Sequence, residues 1–250
     1  MSGHSKWSTI KRQKGANDAK RGALFTKIAR EISVAARQGG GDPDANYRLR
    51  LAVDKARSVN MPTDNIKRAI DRATGGGDAA EYEEIVYEGY GPGGVAILVE
   101  AQTDNRNRTA AEVRAIFSKA GGQLAGSGAV AWQFEPRGVV TIPAGGADPD
   151  EIALAAIDAG ADDVDLDDPE RIYAYTAPGE LETVRSSLEA AAIGVESAES
   201  TMIAKQTVDL DSDHARKALR LVENLEDLDD VQRVTANFDI PEDLFAEVAG

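Results

Sequence analysis

The sequence contains no cysteine. That excludes a disulfide framework, thiolate zinc sites and a cysteine nucleophile, and it fits a reducing compartment. Histidine is scarce too. His4 and His214 stand far apart, with no HExxH or triad context around either. Aromatic residues make up 5% of the chain, so its cores must be built from Ala, Val, Ile and Leu. No apolar run approaches the roughly 20 residues that span a bilayer. The first residues lack the apolar stretch of a secretory signal. These absences point to a cytoplasmic chain without membrane contact. Its 250 residues suit one to three domains.

What the sequence does have is charge, unevenly placed. The formal net charge is -15, yet the first thirty residues hold Lys6, Lys11, Arg12, Lys14, Lys20, Arg21, Lys27 and Arg30 against a single acid, Asp18. Residues 1–75 carry sixteen Lys and Arg against seven Asp and Glu, a balance of +9, and the remainder carries twelve against thirty-six, or -24. Such asymmetry marks a basic binding segment on an acidic body. The partner it fits is nucleic acid, a line of phosphates whose counterions Lys and Arg displace. Candidate contacts on the opening segment are Lys6, Trp7, Lys11, Arg12, Lys14, Lys20, Arg21 and Lys27. Further on they are Arg50, Lys55, Arg57, Lys67 and Arg68. Trp7 either stacks on a base or packs on the protein. Phosphate contacts do not separate DNA from ribosomal RNA, because they carry no sequence information directly.

Residues 2–22 show no apolar periodicity and read as a loosely docked arm. Leu24, Phe25, Ile28, Ile32, Ala35 and Ala36 then recur at helical spacing until "QGGGDP". Leu49, Ala52, Val53, Ala56 and Val59 mark a second helix. Ile66, Ile70 and Ala73 mark a third, opened by Pro62 and Asp64 and closed by "TGGGD". From residue 79 the texture becomes mixed. "YEEIVYEGYGPGGVAILVEAQT" reads as a hairpin. Residues 138 to about 200 read β-α-β-β-α-β, the ferredoxin-like order. The flanking pieces, with strands expected at 95–103, 129–135, 202–209 and 230–238, repeat that order. The expected fold is therefore α+β: a basic arm and three-helix domain over 1–78, an α/β domain over 79–136 and 201–250, and a second ferredoxin-like α/β domain over 137–200 inserted into it.

Other motifs are weaker. In "TDNRNRT", Asn105 can cap a helix while Arg106 and Arg108 flank its positive end, a possible anion site. "GYGPGG" lacks the spacing of a phosphate loop. "GAVAWQF" lacks the aromatic signature of an RNA-recognition sheet, so Trp132 and Phe134 read as packing residues. The pairs Asp162 and Asp163, and Asp167 and Asp168, are the main carboxylates open to a metal-dependent hydrolase reading. Nothing selects a catalytic set, a cofactor or a metal, and the chain reads as a binding protein rather than an enzyme.

The stretches "GHSKWSTIKRQKGANDAKRGALFTKIAREI", "GGGDPDANYRLRLAVDKARSVNMPTDNIKRAI", "YEGYGPGGVAILVEAQTDNRNRTAAEVR" and "GSGAVAWQF" closely resemble the YebC/PmpR family nearly end to end. That resemblance implies an N-terminal helical domain and two α/β domains, one inserted in the other. It implies a cytoplasmic, DNA-binding transcriptional regulator. The family also includes a mitochondrial translational activator, and other members act at the ribosome and ease synthesis of proline-rich stretches. A ribosome-associated translation factor is thus the alternative role.

Overall fold

The computed structural model describes residues 18–75, 81–145 and 148–239, and side chains from residue 22 onward. The expected arm before residue 18 lies outside the described residues. Two compact units emerge. One joins the helices and the first sheet, up to Trp132 and again over 213–236; the other spans 133–212 and resumes at Asn237.

In the first unit three helices lead: α1 (Asp18–Gly39), α2 (Tyr47–Ser58) and α3 (Thr63–Thr74). The apolar stripes meet in one core of Ile28, Ile32, Leu49, Val53, Ala56, Met61 and Ile66, all under 7% exposed. Helix α1 starts several residues ahead of the apolar stripe. Once the stripe is anchored, each added residue gains one hydrogen bond. Asn46 fixes the α1–α2 corner. Its Oδ1 accepts from the Leu49 N–H at 3.1 Å, and its Nδ2 donates to the Ala35 and Gly40 carbonyls, both at 2.8 Å.

The first sheet has the order β3-β1-β2-β9, antiparallel throughout. Strands β1 (Glu83–Tyr90) and β2 (Ala96–Thr103) form the expected hairpin, β3 is Gln123–Leu124 and β9 is Val231–Ala236. Helix α4 (Arg106–Lys119) packs closely on it: a Cβ at Gly89 would lie 2.6 Å from the Phe117 ring. The strand expected over 129–135 forms only at its end, where Phe134 and Glu135 open β4 (Phe134–Pro143); residues 126–133 are a loop ending in a 3-10 turn at Ala131–Gln133. Their amides are taken by a side chain, described below, instead of a neighbouring strand.

The second unit has the order β5-β6-β4-β7, from β4 (Phe134–Pro143), β5 (Asp163–Asp165), β6 (Arg171–Thr176) and β7 (Ser197–Ala204). Helices α5 (Pro149–Asp158) and α6 (Leu181–Ala190) complete β-α-β-β-α-β, and this strand order is the ferredoxin-like one. The strands read separately as "GVESAES" and "TMIAKQTVDL" are mostly one. β7 pairs with β4 from Thr141↔Ser197 to Phe134↔Ala204, leaving only the short β8 (Val208–Asp209), which pairs with β10 (Phe238–Asp239). Helix α7 (Ser212–Glu226) buries Ala218, Leu221, Val222 and Leu225 in the first unit. The molecule is α+β, with a helical N-terminal region followed by sheet-containing parts.

Candidate nucleic-acid interface

The cations of the helices divide by what they touch. Arg30 turns inward. Its Nη1 donates to the Gln102 and Asp229 carbonyls, each at 2.8 Å, and to Asp230 Oδ1 at 2.9 Å, while its guanidinium sits 4.8 Å over the Tyr82 ring. Lys27 donates to the Glu226 carbonyl. Arg48 forms a two-pronged pair with Glu84. That pair, more than the opposing burial, holds the Glu84 carboxyl down at about 2, with Gln38 and Gln102 adding bonds. Lys55 pairs with Glu31 at 2.8 Å. Arg57 pairs with Asp54 at 3.2 Å but stays 71% exposed, so that contact is weak. Arg50 lies 5.8 Å over the Tyr47 ring, and its buried Nε has no hydrogen-bond partner.

Helix α3 is different. Ile66 and Ala69 are buried, whereas Lys67, Arg68 and Arg72 are exposed, and among the described residues none of the three is in an ion pair. Arg72 follows Arg68 by one helical turn, so the two share a face. Arg68 and Arg72 border a cleft of about 810 Å³ between α1 and α3, walled by Phe25, Arg30 and Tyr82, with Asp71 also at its edge. A cationic rim over aromatic walls has the chemistry to take a sugar–phosphate segment.

Of the remaining candidates, Lys6, Trp7, Lys11, Arg12 and Lys14 lie outside the described residues. Lys20 and Arg21 fall on the opening turn of α1. The possible anion site at the start of α4 is filled from within. Asn105 does cap the helix, its Oδ1 accepting from the Arg108 N–H at 3.1 Å. However, Arg108 donates to Asp230 at 2.6 Å and to Asp104 at 2.9 Å, and Arg106 lies 3.5 Å from Glu83. Arg108 serves carboxylates of its own chain, whereas the Arg106–Glu83 contact joins side chains 65% and 57% exposed and is weak. Asp230 is the hub. Its side chain is 5% exposed, and it also accepts from Thr103 at 2.9 Å and Thr109 at 2.6 Å. Burial pushes its carboxyl up, but the bonds from Thr109, Arg108 and Thr103 and the charge of Arg30 together bring it below the ordinary range.

In each carboxylate pair of the second unit one member is engaged: Asp162 with Arg137 at 2.7 Å, Asp168 with the Tyr173 hydroxyl at 3.1 Å. Among the described residues no three carboxylates or histidines gather as metal ligands, and no helix is long and apolar enough to cross a membrane. Phe134 is buried as expected, but Trp132 is 68% exposed, which corrects its reading as a packing residue. The loop carrying it is pinned from below, so the ring is held outward.

Fold and site together define a helical, cation-bearing segment joined to sheet-containing units. The description "TACO1/YebC protein N-terminal domain" matches residues 5–76, and "TACO1/YebC second and third domain" matches residues 82–238. The chain belongs to the TACO1/YebC family. It is 60% identical over 252 residues to a "Probable transcriptional regulatory protein" of Rubrobacter xylanophilus, covering 100% of both chains. A relative of the same description from Roseiflexus castenholzii is 58% identical, covering 98% of this chain and 97% of its own. The crystal structure of a conserved hypothetical protein from Aquifex aeolicus superposes with a TM-score of 0.84 at 47% identity, covering 90% of this chain and 93% of that one.

Proposed function

We propose that the chain is a non-enzymatic, cytoplasmic nucleic-acid-binding regulator of gene expression, one that acts on transcription, as its relatives' names suggest for them, by binding DNA. The segment 1–78 grips phosphates. The parts over 79–136 with 201–250, and over 137–200, form the anionic body that disfavours other binding modes. One observation carries the reading: Lys67, Arg68 and Arg72 stand exposed on α3, in no ion pair among the described residues, in the same N-terminal stretch whose balance is +9.

The test is a filter or gel-shift assay with duplex DNA and with structured RNA. Charge reversal of Lys11, Arg12 and Lys14 abolishes binding while leaving the circular dichroism of the body unchanged. Unaltered affinity would falsify the role of the arm. A second reading, a ribosome-associated translation factor, draws support from the family resemblance and from the lack of a base-reading helix in the sequence pattern. Sedimentation at moderate salt separates the two. Co-migration with ribosomes favours the second, and tight binding to a promoter fragment without co-migration favours the first.

A further inference from the structure

Fifteen consecutive residues, Ala120 to Phe134, carry no ionisable side chain, in a chain where 28% of positions are charged. Near their end stands Trp132. At 68% it is the most exposed large apolar side chain among the described residues. The loop beneath it is tightly built. The carboxylate of Glu88, on β1 and only 5% exposed, accepts from the backbone N–H groups of Gly128, Val130 and Ala131 at 2.5, 2.7 and 2.8 Å. The Tyr90 hydroxyl and the Trp132 indole N–H both donate to the Ala129 carbonyl, at 2.9 and 3.1 Å. Burying a carboxylate is costly unless it is fully bonded. A loop that merely joined two elements would not need that anchor, and here it fixes the segment that displays an indole to solvent.

We propose that Trp132 is a stacking platform for an unpaired nucleobase of a bound single strand, an inference that rests on the nucleic-acid reading above. A base presents a flat π-face whatever its identity, so one rigid ring suffices to hold it. A protein partner would need a contiguous apolar patch of several hundred Å². On the same hairpin the exposed apolar companions are only Val86, at 54%, and Tyr90, at 37%. The neutral loop also presents no free carboxylate to a phosphate chain, since the charge of Glu88 faces three amides. Because the ring is already held, little conformational freedom is lost when a base stacks on it.

The experiment uses the full chain with Trp7→Phe, which leaves Trp132 as the single indole, so that any part Trp7 plays is constant. Single-stranded RNA and DNA dodecamers are titrated in, unlabelled for indole emission and end-labelled for anisotropy. Indole quenching is expected to follow the anisotropy curve. Adding Trp132→Ala weakens binding roughly 5- to 150-fold with the salt dependence unchanged, because no phosphate contact is removed. Trp132→Phe restores most of the loss. Anisotropy that rises with no change in indole emission, or an unaltered affinity of the Trp132→Ala protein, overturns the platform. So does quenching by a neutral peptide but by neither dodecamer. If reversing Lys67, Arg68 and Arg72 abolishes binding while Trp132→Ala does not, the platform fails alone. If no dodecamer binds while duplex DNA or structured RNA does, the platform fails and the nucleic-acid reading stands; if none of these binds, both fail.

Discussion

Arginine meets opposite fates in two parts of this molecule. In the sheet unit over 133–212, Arg137 is held by Glu135 at 2.9 Å and Asp162 at 2.7 Å, Arg171 by Glu196 at 2.5 Å, and Arg185 by Glu182 at 2.8 Å. That unit has eighteen Asp and Glu for four Lys and Arg, so carboxylates surround its arginines. On α3 two arginines and a lysine face solvent without such partners among the described residues. The same guanidinium is an internal brace in one place and an open charge in the other. Counting cations along a sequence therefore overstates what is free to bind. What matters is the number left after the chain's own carboxylates have been served.

The strongest perturbation is expected where bracing is deepest. Asp230 collects Arg30, Arg108, Thr103 and Thr109 from three separate elements and is nearly out of solvent. Asp230→Ala strands buried donors and is expected to cost about 3 kcal/mol, read from urea denaturation at neutral pH. Its pH signature has a definite sign. The folded carboxyl titrates below its unfolded value, so its contribution is present above the unfolded pKa and is lost as pH falls through the folded one. Asp230→Asn should flatten the acid limb of the stability curve. An unchanged acid limb would show that the hub acts by hydrogen-bond shape alone.

Next in size is the α3 row. Reversing Lys67, Arg68 and Arg72 to Glu is expected to lower the salt slope of nucleic-acid binding by about 3, with stability nearly unchanged because these groups brace nothing among the described residues. The matched control lies in the other unit. Arg185→Ala breaks half-buried pairs with Glu182 and Glu189 along one helix and is expected to cost about 1 kcal/mol while leaving binding and its salt slope alone. If the control weakens binding as much as the α3 variant, the division between bracing and open arginines collapses.

How much of this the sequence disclosed follows from distance along the chain. The α3 row was legible because Ile66, Ile70 and Ala73 define a buried stripe, which leaves residues 67, 68 and 72 on the far side by helical geometry alone. The hairpin and the ferredoxin-like order were legible for the same local reason. The Asp230 hub was not, since Arg30 precedes it by two hundred residues and no periodicity links them. The start of α4 misled for that reason: "TDNRNRT" shows a cap and two cations but not the carboxylate arriving from the turn before β9. The loop before β4 misled differently. Its Ala and Val content suits a strand, and only the carboxylate of Glu88, forty residues earlier, shows where its amides go.

The smallest expected effect is the sharpest test of the comparison. Arg48 and Glu84 form an exposed pair, each side chain about two-fifths accessible, so Glu84→Gln is expected to cost no more than about 1 kcal/mol. The pair holds Glu84 at about 2 against an ordinary value of 4.5. Its contribution is therefore complete above that ordinary value, and the gap between wild type and variant closes as pH approaches 2. The informative readout is binding. Glu84→Gln removes a brace and turns Arg48 into an open cation beside those of α3. If open cations are what grip the polyanion, a mutation that slightly weakens the fold should strengthen binding and steepen its salt slope by up to about 1. A variant that loses both stability and affinity would mean that Arg48 matters to binding through the helix it steadies, and that bracing and gripping cannot be separated in this layer.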